Sequence, residues 1–517
     1  MKRIVVRLSV VLSLVLLFLG SCREDFEFRS SSGNLSFSRD TVFLDTVFTT
    51  IGSSTYTLKV YNTSNEDIFI PEVRLASGME SNYRLNVDGA AGKIFENIPL
   101  LARDSLFVFI ETTFDISIVD ETEFLYTDTL LFGDPSNSQG VELVTLVRDA
   151  IFLFPRTQQD GSRETVALGQ DEAGNTIRIV GFEVSDENLN FTNEKPYVIY
   201  GYAVVGDEKT LRMDPGTRVH FHNDAGIFVR PGGRLEINGT GSTDEEALEN
   251  EVIFEGDRLE PRFSDVPGQW GSVWLAGGGS NHQIQNLTIR NATVGLLIDG
   301  NTPLQEVTAR LRNTQIYNSS ITNLWARTAQ LEVSNSVFGS AGSASVFCQA
   351  GGNYDFKHCT IANYWTNGLR NTAALVLDNA ISSSSEDLSV NTDLINAVFS
   401  NSILDGNRNL ELALLDNGQN MFNYQFRNCA ITFLDTQGLF SEDPLYNFDN
   451  PMFFQNAFLN PDVGFVAPLQ QNYRLTATST LIDLGDQDTA SLIPLDILGI
   501  DRTPNPDLGA YEYREEE

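Results

Sequence analysis

Ile284-Gln285-Asn286-Leu287-Thr288-Ile289 returns as Leu311-Arg312-Asn313-Thr314-Gln315-Ile316, as Val333-Ser334-Asn335-Ser336-Val337 and as Phe356-Lys357-His358-Cys359-Thr360-Ile361. It continues as Leu377-Asp378-Asn379-Ala380-Ile381, Phe399-Ser400-Asn401-Ser402-Ile403 and Phe426-Arg427-Asn428-Cys429-Ala430-Ile431. Each copy sets an apolar residue two places before an asparagine (once a histidine) and Ile or Val two or three places after it. That position falls at 286, 313, 335, 358, 379, 401 and 428, giving spacings of 27, 22, 23, 21, 22 and 27. Repetition at this period marks a stacked architecture.

The period is that of one coil of a parallel β-helix. Coils stack as parallel strands at ~4.8 Å. The apolar residues flanking the asparagine point inward and meet their equivalents above and below. The asparagine takes the bend, because its short amide tolerates left-handed backbone. Stacked amides can hydrogen-bond along the axis, and His358 is expected to interrupt that ladder. A leucine-rich repeat shares the period but needs several leucines at fixed offsets, which are missing.

Earlier segments alternate like strands: Gly216 to Phe221, Gly233 to Thr240, Glu251 to Gly256 and Gly268 to Trp274. These resemble the N-terminal coils of right-handed β-helix proteins of the pectin-lyase-like superfamily, and Asn401 to Asn407 resembles a further coil. The tail, Asp496 to Arg502 with Pro506 to Glu512, looks like the closing segment of secreted β-helix proteins that carry a surface-anchoring element. The resemblance covers about Tyr197 to Tyr513. It implies a fold and no single function, since that superfamily mixes lyases, hydrolases and binding proteins.

Upstream, Ser54 to Tyr61 alternates, Asn62 to Asn65 turns, and Asp67 to Ile70 resumes a strand. Further strands are expected at Tyr83 to Val87, Ser105 to Thr112, Tyr126 to Phe132 and Val141 to Arg148. This spacing predicts a β-sandwich, and the stretch resembles the immunoglobulin-like domains that precede repeat regions in surface proteins.

At the start, Lys2, Arg3 and Arg7 precede a largely apolar run of twelve residues, Leu8 to Leu19, interrupted only by Ser9 and Ser13. Twelve helical residues span only ~18 Å, short of a ~30 Å bilayer core, so the run reads as a signal peptide. Leu19-Gly20-Ser21-Cys22 resembles the lipobox of bacterial lipoproteins, which implies lipid attachment at Cys22. Arg23, Glu24 and Asp25 resemble the export signal of Bacteroidetes-type lipoproteins bound for the outer face of the outer membrane. The organisation is therefore a lipoprotein signal peptide (1–21), a lipidated cysteine with flexible tether (22–33), an immunoglobulin-like β-sandwich (34–150), a connector and N-terminal cap (151–196), a right-handed parallel β-helix (197–475) and a C-terminal cap segment (476–517).

Net charge is 34 − 69 = −35, so no basic surface is available to displace counterions from nucleic acid. Calcium could be drawn to such a chain, but no site for it is locatable, and no cofactor is expected. His220 and His222 are the only close pair of histidines and read as two exposed strand residues rather than metal ligands. Cys348, Cys359 and Cys429 lack zinc-type spacing. Cys359 and Cys429 fall three coils apart, about 14 Å, beyond the ~7 Å reach of a disulfide.

Polygalacturonases of the resembled superfamily carry Asn-Thr-Asp, Asp-Asp, Gly-His-Gly and Arg-Ile-Lys. Asn391-Thr392-Asp393 matches the first, and the others are absent. Pectate lyases need calcium-binding carboxylates and a basic proton abstractor. Lys357 is the clearest candidate, but its place before His358 points it to solvent. Asp483 to Asp488 reads as a polar turn rather than a calcium loop. No catalytic or metal residue is assigned. Trp325, Tyr364 and Trp365 are the candidates for stacking on sugar rings. The expectation is a monomeric, membrane-anchored surface protein that binds a glycan or a protein partner without catalysis. The alternatives are a polysaccharide lyase or glycosidase with an atypical site, and a structural envelope spacer.

Overall fold

A computed structural model describes residues 28–115, 123–170, 174–279, 281–300, 306–381 and 390–515. The signal run, Cys22 and Arg23 to Asp25 lie outside the described residues. The chain is all-β, with several large sheets, and divides into two compact units, Met1–Asp149 and Ala150–Glu517.

In the first unit a six-stranded and a five-stranded sheet share one core. The expected strands are found as Tyr56–Asn62, Ile68–Leu75, Tyr83–Val87, Ser105–Thr112, Glu123–Asp134 and Asn137–Arg148. Period-2 alternation sorts their faces: Leu58, Val60, Val108 and Ile110 are fully buried, whereas Phe107 and Phe109 stay exposed. The turn asparagine is structural. Asn62 Nδ2 donates to the carbonyls of Glu66, Leu100 and Leu101 at 2.8, 3.2 and 3.0 Å.

In the second unit the chain returns repeatedly to the same two sheets. An eleven-stranded sheet runs from Ile151–Leu153 to Phe458–Leu459, and every pairing in it is parallel. An eighteen-stranded sheet is also parallel, apart from the hairpin of Thr165–Gln170 with Thr176–Glu183. Aliphatic and aromatic residues from both sheets fill one interior. Inside it, Phe356, Phe399, Phe426 and Phe454 stack in register, with centroids 4.8, 5.0 and 5.5 Å apart.

Left-handed backbone occurs at Asn286, Asn313, Asn335, His358, Asn401 and Asn428, all with φ between 48° and 51°. Asn379 departs from the expected pattern. The Thr360–Asn363 strand pairs directly with Ile403–Gly406, and Ala380–Ile381 forms a small antiparallel pair with Val390–Asn391. One return therefore takes 43 residues, from His358 to Asn401, and the apparent spacings of 21 and 22 were its two halves. Asn379 instead donates to Asp416 at 3.1 Å and accepts from the Asn417 amide at 2.8 Å. A further rung, Asn456, has φ 53°.

After five of the bends the next residue is a small donor that bonds the carbonyl two places back. Thr314, Ser336 and Ser402 do so at 3.3, 2.9 and 2.9 Å, and the thiols of Cys359 and Cys429 at 3.4 and 3.3 Å. The cysteines thus serve in place of serine. All three described cysteines are free and buried, and burial pushes the Cys359 and Cys429 thiols up to about 12. Because Asn379 is not a rung, Cys359 and Cys429 lie two returns apart rather than three. At ~4.8 Å each that is about 10 Å, still too far for a disulfide.

The C-terminal segment lies along the outer face of the eleven-stranded sheet. Tyr473, Ile497, Ala510 and Tyr511 pack on Tyr317, Val337 and Ala362, and Leu475, Leu481 and Leu508 on Ile403 and Ala430. Two glycines permit the contact. A Cβ on Gly339 would sit 2.3 Å from the Tyr473 ring, and one on Gly509 (φ 92°) 2.7 Å from Ile403.

Candidate functional site

On the strand Val346–Lys357, Tyr354 and Phe356 are fully buried, so Asn353, Asp355 and Lys357 face outward. Parallel register repeats this on the neighbouring strands. One outward file is Gln330, Asn353 and Asn396; a second is Glu332, Asp355 and Val398; a third is Lys357, Ser400, Arg427 and Gln455. Opposite them stand Asp486, Asp488, Thr489 and Leu492, from the short helix Gln487–Leu492 and its N-cap. Between the files and the helix is a groove of about 600 Å³.

Most of its charges are already partnered. Lys357 pairs with Asp355, and Arg310 Nε lies 2.7 Å from Glu332. Asp486 caps the helix, accepting from the Thr489 amide and hydroxyl at 2.8 and 2.7 Å. Arg427 donates to Gln425 at 2.7 Å. The groove therefore offers fixed hydrogen-bond donors and acceptors in files repeating at ~4.8 Å. Its lining holds four carboxylates and two cations, and no aromatic ring.

The structure does not bring Trp325, Tyr364 and Trp365 together. Trp365 is buried. Tyr364 bonds Asp405 and packs against Phe465 and Tyr473 of the C-terminal segment. Trp325 lies in an outward file of another part of the eighteen-stranded sheet, with Trp274, Leu297, Phe347 and Val376. Its ring stacks on Phe347 at 5.7 Å and 15°, and its Nε1 donates to Gln349 at 3.1 Å. A face taken by a neighbouring ring is not available to a sugar.

The histidine pair also differs from expectation. His220 is buried, 3.6 Å from Glu255, and only His222 is exposed, with its Nδ1 2.7 Å from Asp257. Among the described residues no group of three or more His, Cys, Asp or Glu is placed to hold a metal. Thr392 bonds the Ala350 carbonyl and Asp393 accepts from the Met421 amide, so this Asn-Thr-Asp match serves the backbone.

Lys357 was identified from sequence as outward-facing. Gln330, Asn353, Asn396 and Arg427 were missed, although they stand five places (Arg427 one place) before a bend, where alternation predicts an outward side chain. The wall from Asp486 to Leu492 left no signal near the repeats.

No family model matches the chain, and no curated protein matches it. Among solved structures, the periplasmic chaperone SfaE is 11% identical and aligns over 28% of this chain and 82% of its own, with a TM-score of 0.15. A family 123 glycoside hydrolase from Clostridium perfringens is 4% identical, over 42% of this chain and 74% of its own, with a TM-score of 0.16. At these TM-scores neither likeness bears on fold or function.

Proposed function

We propose that this is a lipid-anchored outer-membrane protein facing the cell exterior, in which an immunoglobulin-like sandwich carries a right-handed parallel β-helix that binds a neutral glycan without catalysis. The observation that carries the binding role is the groove over Asn353, Lys357 and Asn396. Its polar groups repeat along the sheet axis, as a polymer of repeating hydroxyls requires. Its principal acid and base, Asp355 and Lys357, neutralise each other, which favours positioned hydrogen bonds over proton transfer. Its excess of carboxylates disfavours a polyanionic chain.

The test is the mature protein without its lipidated cysteine, Arg23 onward, on an array of neutral and acidic polysaccharides, scored for retention and for release of reducing or unsaturated ends. Retention of neutral polysaccharides without release is expected. Asn353→Ala and Lys357→Ala should each weaken retention roughly tenfold, the effect of losing about 1.4 kcal/mol of hydrogen bonding. A second reading, a lyase or glycosidase, draws on the presence of Glu332, Asp355 and Lys357 in one groove. Product release from any glycan would establish it and sink the first.

The anchor has its own test. Cys22→Ala should abolish lipid labelling and free the protein from membranes, and persistent labelling would refute the assignment. Changing Arg23, Glu24 and Asp25 to Ala should leave labelling intact.

A further inference from the structure

The bend residues do not form one continuous amide ladder. Asn313 donates to Asn286, and Asn456 to Asn428, each at 3.4 Å. Between them the side chains turn to the C-terminal segment. Asn335 Nδ2 donates to the Leu495 carbonyl at 2.7 Å, and Asn428 Nδ2 to the Leu484 carbonyl at 3.2 Å. Asn401 makes a reciprocal pair with Asp486: its Oδ1 accepts from the Asp486 amide at 2.7 Å, and its Nδ2 donates to the Asp486 carbonyl at 3.0 Å.

His358 sits in the middle of this arrangement. Its Nε2 lies 3.1 Å from Asn401 Nδ2, and its Nδ1 faces Arg502 Nη1. Thus it keeps a contact with the next bend, Asn401, while Arg502 stands between it and the preceding bend, Asn335. Both neighbours are N–H donors. An imidazolium, with hydrogens on both nitrogens, would satisfy neither. Burial and Arg502 hold the His358 pKa well below the usual range, which agrees with that geometry. Arg502 is fully buried and also donates to Asn335 Oδ1 at 3.0 Å.

We infer that His358 and Arg502 are positioning residues for the groove: together with Asn401 they latch the C-terminal segment onto the bend ladder, and this docking holds the wall Asp486–Leu492 over the glycan-binding files. The inference rests on the groove being the binding site. Its physical core is a short chain of contacts. The helix N-cap is fixed by Asn401, Asn401 touches His358, and His358 touches Arg502 of the same segment that supplies the helix. No other described element lines that side of the groove.

The test uses the full mature chain and two variants, His358→Ala and His358→Gln. Glutamine keeps an acceptor facing Arg502; alanine does not. Two signals are read: amide hydrogen exchange at Gln487–Leu492, and retention of each neutral array polysaccharide. His358→Ala should raise exchange of the helix at least tenfold and weaken retention at least tenfold, with exchange in Tyr56–Asn62 unchanged. His358→Gln should move both signals back toward the parent. Parental exchange of the helix in His358→Ala would overturn the inference. So would a loosened helix with undiminished retention. If the parent retains no glycan, the binding proposal fails, and exchange of the helix alone decides the latch. Should His358→Ala not fold, Asn401→Ala, which removes the paired bonds to Asp486 and the contact with His358, takes its place with the same readings.

Discussion

Arg502→Met should destabilise the second unit by about 3–5 kcal/mol, the range for removing one partner of a buried ion pair. Methionine keeps much of the arginine's bulk, so the loss measures polar contacts rather than a void. Arg502 Nη1 lies 3.2 Å from Glu512 and donates to the Gly509 carbonyl at 3.3 Å. Its removal leaves Glu512 without its cation and takes a favourable charge from Asp496 and Asp507; burial already raises the pKa values of all three, Glu512 to about 7. The linkage has a definite sign. A carboxyl raised from 4.5 unfolded to about 7 folded favours the folded state most below pH 4.5, and that contribution is lost as pH rises through 7. Without the cation Glu512 rises further, so the variant's deficit should be larger at pH 8 than at pH 5. All four tryptophans lie in the second unit, so their fluorescence during denaturant unfolding reports that unit alone. A loss under 1 kcal/mol at pH 8 would show that the buried arginine is not what holds the tail.

The bend residues show how far the repeat could be read. Asn286, Asn313, Asn335, His358, Asn401 and Asn428 were legible because left-handed backbone and inward flanking residues both constrain the local sequence. Asn379 satisfied the same local pattern without being a bend. A five-residue motif does not encode register, and register is settled by which strand lies beneath. Phe356 pairs with Phe399, not with Leu377, and Leu377 pairs with Cys348 on an earlier part of the same long strand. Asn456 was passed over because Phe458 and Leu459 stand where Ile or Val was sought. The groove was half legible for a related reason. Its floor follows from alternation, and its wall arrives through docking of a segment far downstream.

The aromatic residues mislead in the other direction. A tryptophan near a bend invites a sugar-binding reading, yet Trp325 is packed on Phe347, and Trp365 is buried. Aromatic rings stack between successive returns both inside and outside the sheets, so an aromatic residue in this repeat is first a neighbour to the next rung.

Those two ladders should differ sharply in weight, which the second large effect tests. Phe399→Ala is expected to cost about 3–5 kcal/mol, the range for truncating a buried phenylalanine. Phe399 is fully buried and lies between Phe356 at 4.8 Å and Phe426 at 5.0 Å, both nearly parallel to it. Two ring contacts are lost, each worth ~0.5–1.5 kcal/mol beyond burial, which places the effect at the upper end. In a stack of returns each rung contacts only its neighbours, so a void at Phe399 weakens the rungs of Phe356 and Phe426 together. Phe347→Ala, at the outer ladder, removes one ring contact from a half-buried site and should cost about 1 kcal/mol. Tryptophan fluorescence against denaturant measures the inner substitution; circular dichroism at a strand wavelength suits the outer one, since Phe347 touches Trp325 directly. If the outer substitution costs as much as the inner, the interior phenylalanine stack is not the main support of the unit. The inner ladder dominates on this reasoning because its rings exchange water for close packing on every side, whereas the outer rings keep one edge in solvent in either state.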